Sequence, residues 1–116
     1  MKPFIYATSG LKEALKSQKN LRFHFLAALV VIILGCIFSI SLTEWIILMV
    51  VTMAVIACEL INTSIEYIVD IICPEQNEKA KIVKDISAAA VFVTAFFAAI
   101  IGLLIFFPRL LILISK

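Results

Sequence analysis

The chain has 116 residues, 64% of them hydrophobic and 16% charged, with a mean hydropathy of +1.17. Soluble domains run about 45–50% apolar and about 25% charged, and so short a chain has too little interior to hide the excess from water. The composition fits one small membrane domain, while a net charge of +2 with no dense basic run argues against a nucleic-acid partner.

The N-terminal segment reads as an amphipathic helix over about residues 9–20, with Ser9 as its N-cap. On a wheel of 100° per residue, Leu11, Leu15, Gln18, Arg22 and Phe25 share one face, while Lys12, Lys16 and Lys19 point about 80–140° away. Such a helix lies on a membrane surface with its lysines toward anionic headgroups. Gln18 and Arg22 interrupt the apolar face, either snorkelling to the headgroups or serving a site.

Three apolar stretches follow, over about 23–40, 45–72 and 86–107. Each is long enough to cross a hydrocarbon core of about 30 Å, which needs about 20 helical residues. Five basic residues (Lys2, Lys12, Lys16, Lys19, Arg22) precede the first stretch, and Lys79, Lys81 and Lys84 separate the second from the third. The connection Ser41–Glu44 carries none. The positive-inside bias then puts the N-terminus and the second loop in the cytoplasm and the C-terminus outside. The first stretch starts too late for a signal peptide and has no cleavage site after it. Cys36, Cys58 and Cys73 form neither a disulfide framework nor a CxxC pair, and read as packing residues.

The second stretch carries a polar line. Glu59, Asn62, Glu66 and Asp70 fall within an arc of about 80° on a helix. One charged residue near the bilayer centre costs at least about 2.5–3.5 kcal/mol on insertion scales, so a line of them marks function. Asn62, Thr63 and Ser64 alone are explicable as hydrogen-bonded helix contacts; two glutamates and an aspartate exceed that need. Counting about 20 residues from Trp45 sets the inner hydrocarbon edge near Ser64, with Glu59 about 7 Å beneath it. Glu59 is thereby suited to general-base duty, and Glu66 and Asp70, at the edge, to a cation. Oxygen ligands there suit Mg²⁺, which takes one or two carboxylates plus substrate phosphates. A base under the headgroups and a metal–phosphate site above them imply a reaction joining a lipid hydroxyl to a cytosolic phosphate donor. With glycines only at positions 10, 35 and 102, there is no Walker A or GxGxxG loop to cradle that donor. Lys84, Asp85 and Glu75 are candidates to hold it, although Lys84 and Asp85 equally suit an interfacial anchor pair. His24 has no second histidine and reads as interfacial.

The run Glu59-Leu60-Ile61-Asn62-Thr63-Ser64-Ile65-Glu66…Asp70, followed by Lys84-Asp85 and Ala88-Ala89-Ala90-Val91, resembles the prokaryotic diacylglycerol kinase family. Gly10-Leu11-Lys12…Ala14…Asn20…Arg22…His24 resembles the N-terminal signature of its Gram-positive branch, whose members are chiefly undecaprenol kinases. The resemblance covers nearly the whole chain. It implies an all-α integral membrane domain in the bacterial cytoplasmic membrane, with a surface helix and three transmembrane helices. It further implies a homotrimer with sites shared between subunits, using Mg²⁺ and ATP to phosphorylate a membrane lipid alcohol, undecaprenol or diacylglycerol. By position, Glu59 becomes the general base with Asn62 beside it, Glu66 a metal ligand, and Tyr6, Asp70, Glu75, Asn77, Lys84 and Asp85 nucleotide neighbours. Arg22 and Glu59 fall to the lipid substrate. The family's second metal-binding glutamate falls at Gln18, whose amide offers an oxygen without charge, and Gln76 and Asn77 replace its aromatic or histidine pair after Glu75. Two other readings stay open: an inactive member, and a small ion-coupled transporter or channel. A through-path needs polar groups at both depths, and Trp45–Val55 offers Thr52 alone.

Overall fold

The computed structural model describes residues 2–116. They form four helices: α1 (Lys2–Ser17), α2 (Lys19–Phe38), α3 (Leu42–Ile72) and α4 (Glu78–Ile114). The last three are each long and apolar enough to cross a membrane. At 1.5 Å per residue, the 37 residues of α4 extend about 55 Å, well beyond the apolar run inside it.

α1 begins earlier than residue 9. Pro3 sits in its first turn, where a missing N–H costs nothing, and Thr8 Oγ1 bonds back to the Phe4 carbonyl at 2.9 Å. Ser9 is therefore inside the helix and does not cap it. The helix also ends sooner than residue 20, because Gln18 adopts an extended backbone (φ −113°, ψ 108°). Its N–H closes α1 on the Ala14 carbonyl at 2.8 Å, and its own carbonyl accepts from Arg22 N at 3.3 Å to open α2. Lys19 and Asn20 thus belong to α2.

The α2–α3 turn is tight. Ser39 is left-handed (φ 50°), and the Ile40 and Ser39 N–H groups bond back to Gly35 and Cys36, satisfying carbonyls at the helix end. Ser41 and Glu44 then form a reciprocal capping box at the start of α3. Gly35 lies against the Trp45 ring: a Cβ there would meet Trp45 Cζ2 at 2.7 Å. Arg109, just after Pro108 in α4, grips both oxygens of the same Glu44 at 2.7 and 2.8 Å and donates to the Ile105 carbonyl.

α3 packs most extensively on α4. At the α2–α3 turn end, Ile40, Leu48 and Ile105 form an apolar core flanked by Trp45 and Phe106. Toward the other end the buried face of α3 changes character, from Leu48 and Val55 to Glu59, Asn62 and Thr63. Most large apolar side chains face outward, as Phe92 does at 70% exposure, which suits a lipid solvent and not water.

Candidate functional site

The polar groups fall into two adjoining parts. The first lies on the buried face of α3. Glu59 is 1% exposed, and its Oε2 is buried without a hydrogen-bond partner. One turn on, Thr63 Oγ1 donates to the Glu59 backbone carbonyl at 2.9 Å, leaving the carboxyl itself free. Asn62 is buried; its Nδ2 donates to Glu66 Oε1 at 3.4 Å, and its Oδ1 has no partner. Glu66 is half-buried at the margin. Ser87 is a buried polar residue on α4. Buried polar atoms are nearly always paired, so two orphaned acceptors on one helix face point to a missing donor or cation.

The second part is a cavity of 680 Å³ beneath the loop between α3 and α4, lined by Asp70, Cys73, Glu75, Asn77, Lys81 and Lys84 among others. Lys84 Nζ donates to Asp70 Oδ1 at 2.5 Å, tying α4 to α3 across it. Asp85 pairs instead with Lys81 at 2.6 Å, one turn back along α4, and does not line the cavity. Asn77 caps α4, its Oδ1 accepting from Lys79 and Ala80 N–H at 2.9 and 3.1 Å. Tyr6 is exposed on α1 and is not part of the lining.

Arg22 has a role that periodicity did not disclose. Its Nη1 donates to the carbonyls of Leu15 and Lys16, both at 2.9 Å, and so caps the end of α1. Tyr67 was not among the expected site residues; its hydroxyl donates to Ser17 Oγ at 3.0 Å and joins α3 to the same turn. Tyr67 follows Glu66, and Ser17 precedes Gln18, so this bond places the two expected metal ligands beside one contact.

Among the described residues, no three His, Cys, Asp or Glu side chains converge as a protein-only metal site. The donor chemistry nevertheless fits Mg²⁺, which needs few protein ligands when phosphates supply the rest. The Glu66 carboxylate and the unpartnered Asn62 Oδ1 are oxygen donors one turn apart. An open apolar groove of 540 Å³ runs between α2 and α3 from Trp45 to Leu60, the residue after Glu59.

The family described as prokaryotic diacylglycerol kinase matches residues 5–106. The undecaprenol kinase of Bacillus subtilis is 40% identical over 94% of this chain and 89% of that protein. A diacylglycerol kinase of Synechocystis is 33% identical over 93% of this chain, which spans 62% of that protein. A diacylglycerol kinase of Haemophilus influenzae is 31% identical over 88% of this chain and 87% of that protein.

Proposed function

The chain belongs to the prokaryotic diacylglycerol kinase family, and from that premise we propose that it is a membrane lipid kinase passing the γ-phosphoryl group of ATP to a lipid alcohol, undecaprenol foremost. The observation that carries this reading is the Glu59 carboxyl, buried, with one oxygen unpartnered, one turn below Asn62 and two below Glu66. A buried carboxylate with no structural partner is costly, and taking a hydroxyl proton is work that justifies it.

In this reading the lipid tail lies along the groove that ends at Leu60, and its hydroxyl reaches Glu59. As the hydroxyl oxygen bonds to the γ-phosphorus, Glu59 accepts its proton, the bond to the β–γ bridging oxygen breaks, and ADP leaves. Asn62 orients the hydroxyl, with Arg22 nearby on the lipid side. Glu66, helped by Gln18, would hold Mg²⁺, which when bound neutralises charge on the phosphoryl oxygens. The cavity under the α3–α4 loop takes the nucleotide, with Asp70, Glu75, Asn77 and Lys84 on its walls, and Asp85 and Tyr6 closing on it from outside the lining. Lys84 must exchange its bond to Asp70 for phosphate when ATP enters.

The whole chain, 1–116, acts as one membrane-embedded domain, with α1 as an amphipathic surface helix. The N-terminus and the α3–α4 loop face the cytoplasm of a bacterium, following the lysine distribution, and the C-terminus lies outside. Three copies assemble with sites shared between neighbours, since three spans per chain leave Asn62 and Glu59 incompletely partnered. Toward the α2–α3 turn the buried face of α3 holds Val55 and Leu48, not polar groups, which weighs against a through-channel. Diacylglycerol is the second acceptor to consider, because two relatives carry that name. Incubating purified protein with Mg²⁺, labelled ATP and a panel of lipid alcohols tests the reading. Labelled undecaprenyl phosphate is the expected product, and no labelled lipid from any alcohol would overturn it.

A further inference from the structure

α1 is the helix least secured by packing: among the described residues it buries Ala14 alone. Phe4, Ile5 and Tyr6 are all largely exposed. Its far end is nevertheless fixed by polar contacts that converge on a single turn. Arg22 holds the carbonyls of Leu15 and Lys16, and Tyr67 holds the hydroxyl of Ser17.

The next residue, Gln18, occupies the N-cap position of α2, yet its side chain makes no capping bond there. Ser, Thr, Asp or Asn at that position would accept from the first turn, and a residue that does not cap leaves the helix start less stable. A helix start that forgoes its cap while its main chain is pinned from both sides leaves one amide free, held in a fixed place. Local rules broken in this way tend to mark functional positions.

We propose that Tyr67 is a positioning residue: through its hydroxyl on Ser17 it holds Gln18 against the Glu66 turn, with Arg22 fixing the same end of α1. The inference rests on the reading of Glu66 and Gln18 as cation ligands and adds to it the contact that brings them together. Glu66 and Tyr67 are adjacent on α3, as Ser17 and Gln18 are at the end of α1, so the 3.0 Å bond ties together the two turns that carry the ligands. Without it, α1 is tied to α3 by little else in this region, and the Gln18 amide moves off the Glu66 turn while α2 to α4 stay packed.

The experiment uses the full-length protein in lipid vesicles as wild type, Tyr67→Phe, Ser17→Ala, the double variant and Glu66→Gln. Two quantities are read: Mn²⁺ binding with a non-hydrolysable ATP analogue, by electron paramagnetic resonance, and the Mg²⁺ dependence of lipid phosphorylation. Tyr67→Phe and Ser17→Ala each weaken Mn²⁺ binding and raise the half-saturating Mg²⁺ by about fivefold, the factor one net hydrogen bond commands, with a smaller change in kcat at saturating Mg²⁺. The double variant behaves like Ser17→Ala alone: that change removes the shared bond together with the Ser17 Oγ donation to the Glu13 carbonyl at 2.9 Å, and leaves Tyr67→Phe nothing further to break. Hydrogen exchange over residues 14–20 rises in all three. Glu66→Gln separates the two claims. If it weakens Mn²⁺ binding while Tyr67→Phe does not, the positioning role is overturned and the metal reading stands. If Glu66→Gln leaves Mn²⁺ binding unchanged, the metal reading fails and takes this inference with it. Additive losses in the double variant would also overturn the role, since Tyr67 and Ser17 would then act separately.

Discussion

Replacing Glu59 by methionine is expected to make the protein more stable and inactive. Methionine keeps the unbranched length of the side chain and removes both carboxyl oxygens, one of which is buried without a partner. An unsatisfied buried polar group costs about 1–3 kcal/mol, more if charged. Shape mismatch in a core exchange of similar size usually costs under about 1.5 kcal/mol, and thioether chains adapt to irregular gaps. The Thr63 hydroxyl bonds to the Glu59 backbone carbonyl, so that contact survives the exchange. The balance is a gain of about 1 kcal/mol. Thermal unfolding of both proteins in the same detergent reads it as a higher midpoint for Glu59→Met, alongside a loss of lipid phosphorylation. A midpoint that falls clearly below wild type would refute the reasoning, because the carboxyl would then be holding the fold and not waiting for substrate.

Gln18→Glu should lower the Mg²⁺ concentration for half-maximal lipid phosphorylation, by about tenfold at most. A unit charge pair at about 4 Å is worth about 4 kcal/mol at an effective dielectric of about 20, most of it lost to solvent and phosphate repulsion; an unchanged midpoint would put Gln18 outside the metal shell. Gly35→Ala should destabilise by about 1–3 kcal/mol, because the added methyl meets the Trp45 ring. Trp45 is the sole tryptophan, so its fluorescence reports the change directly, and an unshifted unfolding curve would mean that the turn yields freely. Subunits carrying Glu59→Gln mixed with subunits carrying Glu66→Gln should regain activity if neighbours share sites, whereas mixtures that stay inactive would confine each site to one chain.

The helical class and the three apolar helices were legible because hydrocarbon thickness demands long uninterrupted runs, and the described residues hold three helices that meet it. Helix ends were less so. Periodicity in apolar residues says nothing about charged turns that continue a helix past its apolar run, as residues 78–85 do in α4, and Pro108 and Arg109 do not end that helix before Ile114. Pro3 was a visible sign that α1 begins before Ser9, since proline suits a first turn. The polar line on α3 was plain from spacing, but its partners were not. Glu44 meets Arg109 across 65 positions and Tyr67 meets Ser17 across 50, and such pairs depend on how the helices cross. Arg22 shares a helical face with Gln18 on a continuous wheel, yet the break at Gln18 turns its guanidinium back onto the end of α1.

The most direct test compares wild type with Glu59→Gln in vesicles containing undecaprenol, with Mg²⁺ and ATP labelled at the γ-phosphate, both proteins first matched by their helical circular dichroism. The amide keeps the size of the side chain but cannot accept the hydroxyl proton. Labelled undecaprenyl phosphate should form with wild type and fall by about 10²–10⁴-fold with the variant, while ATP-analogue binding is retained. Comparable rates from the two proteins would contradict the assignment of Glu59 as the base on which the whole account turns.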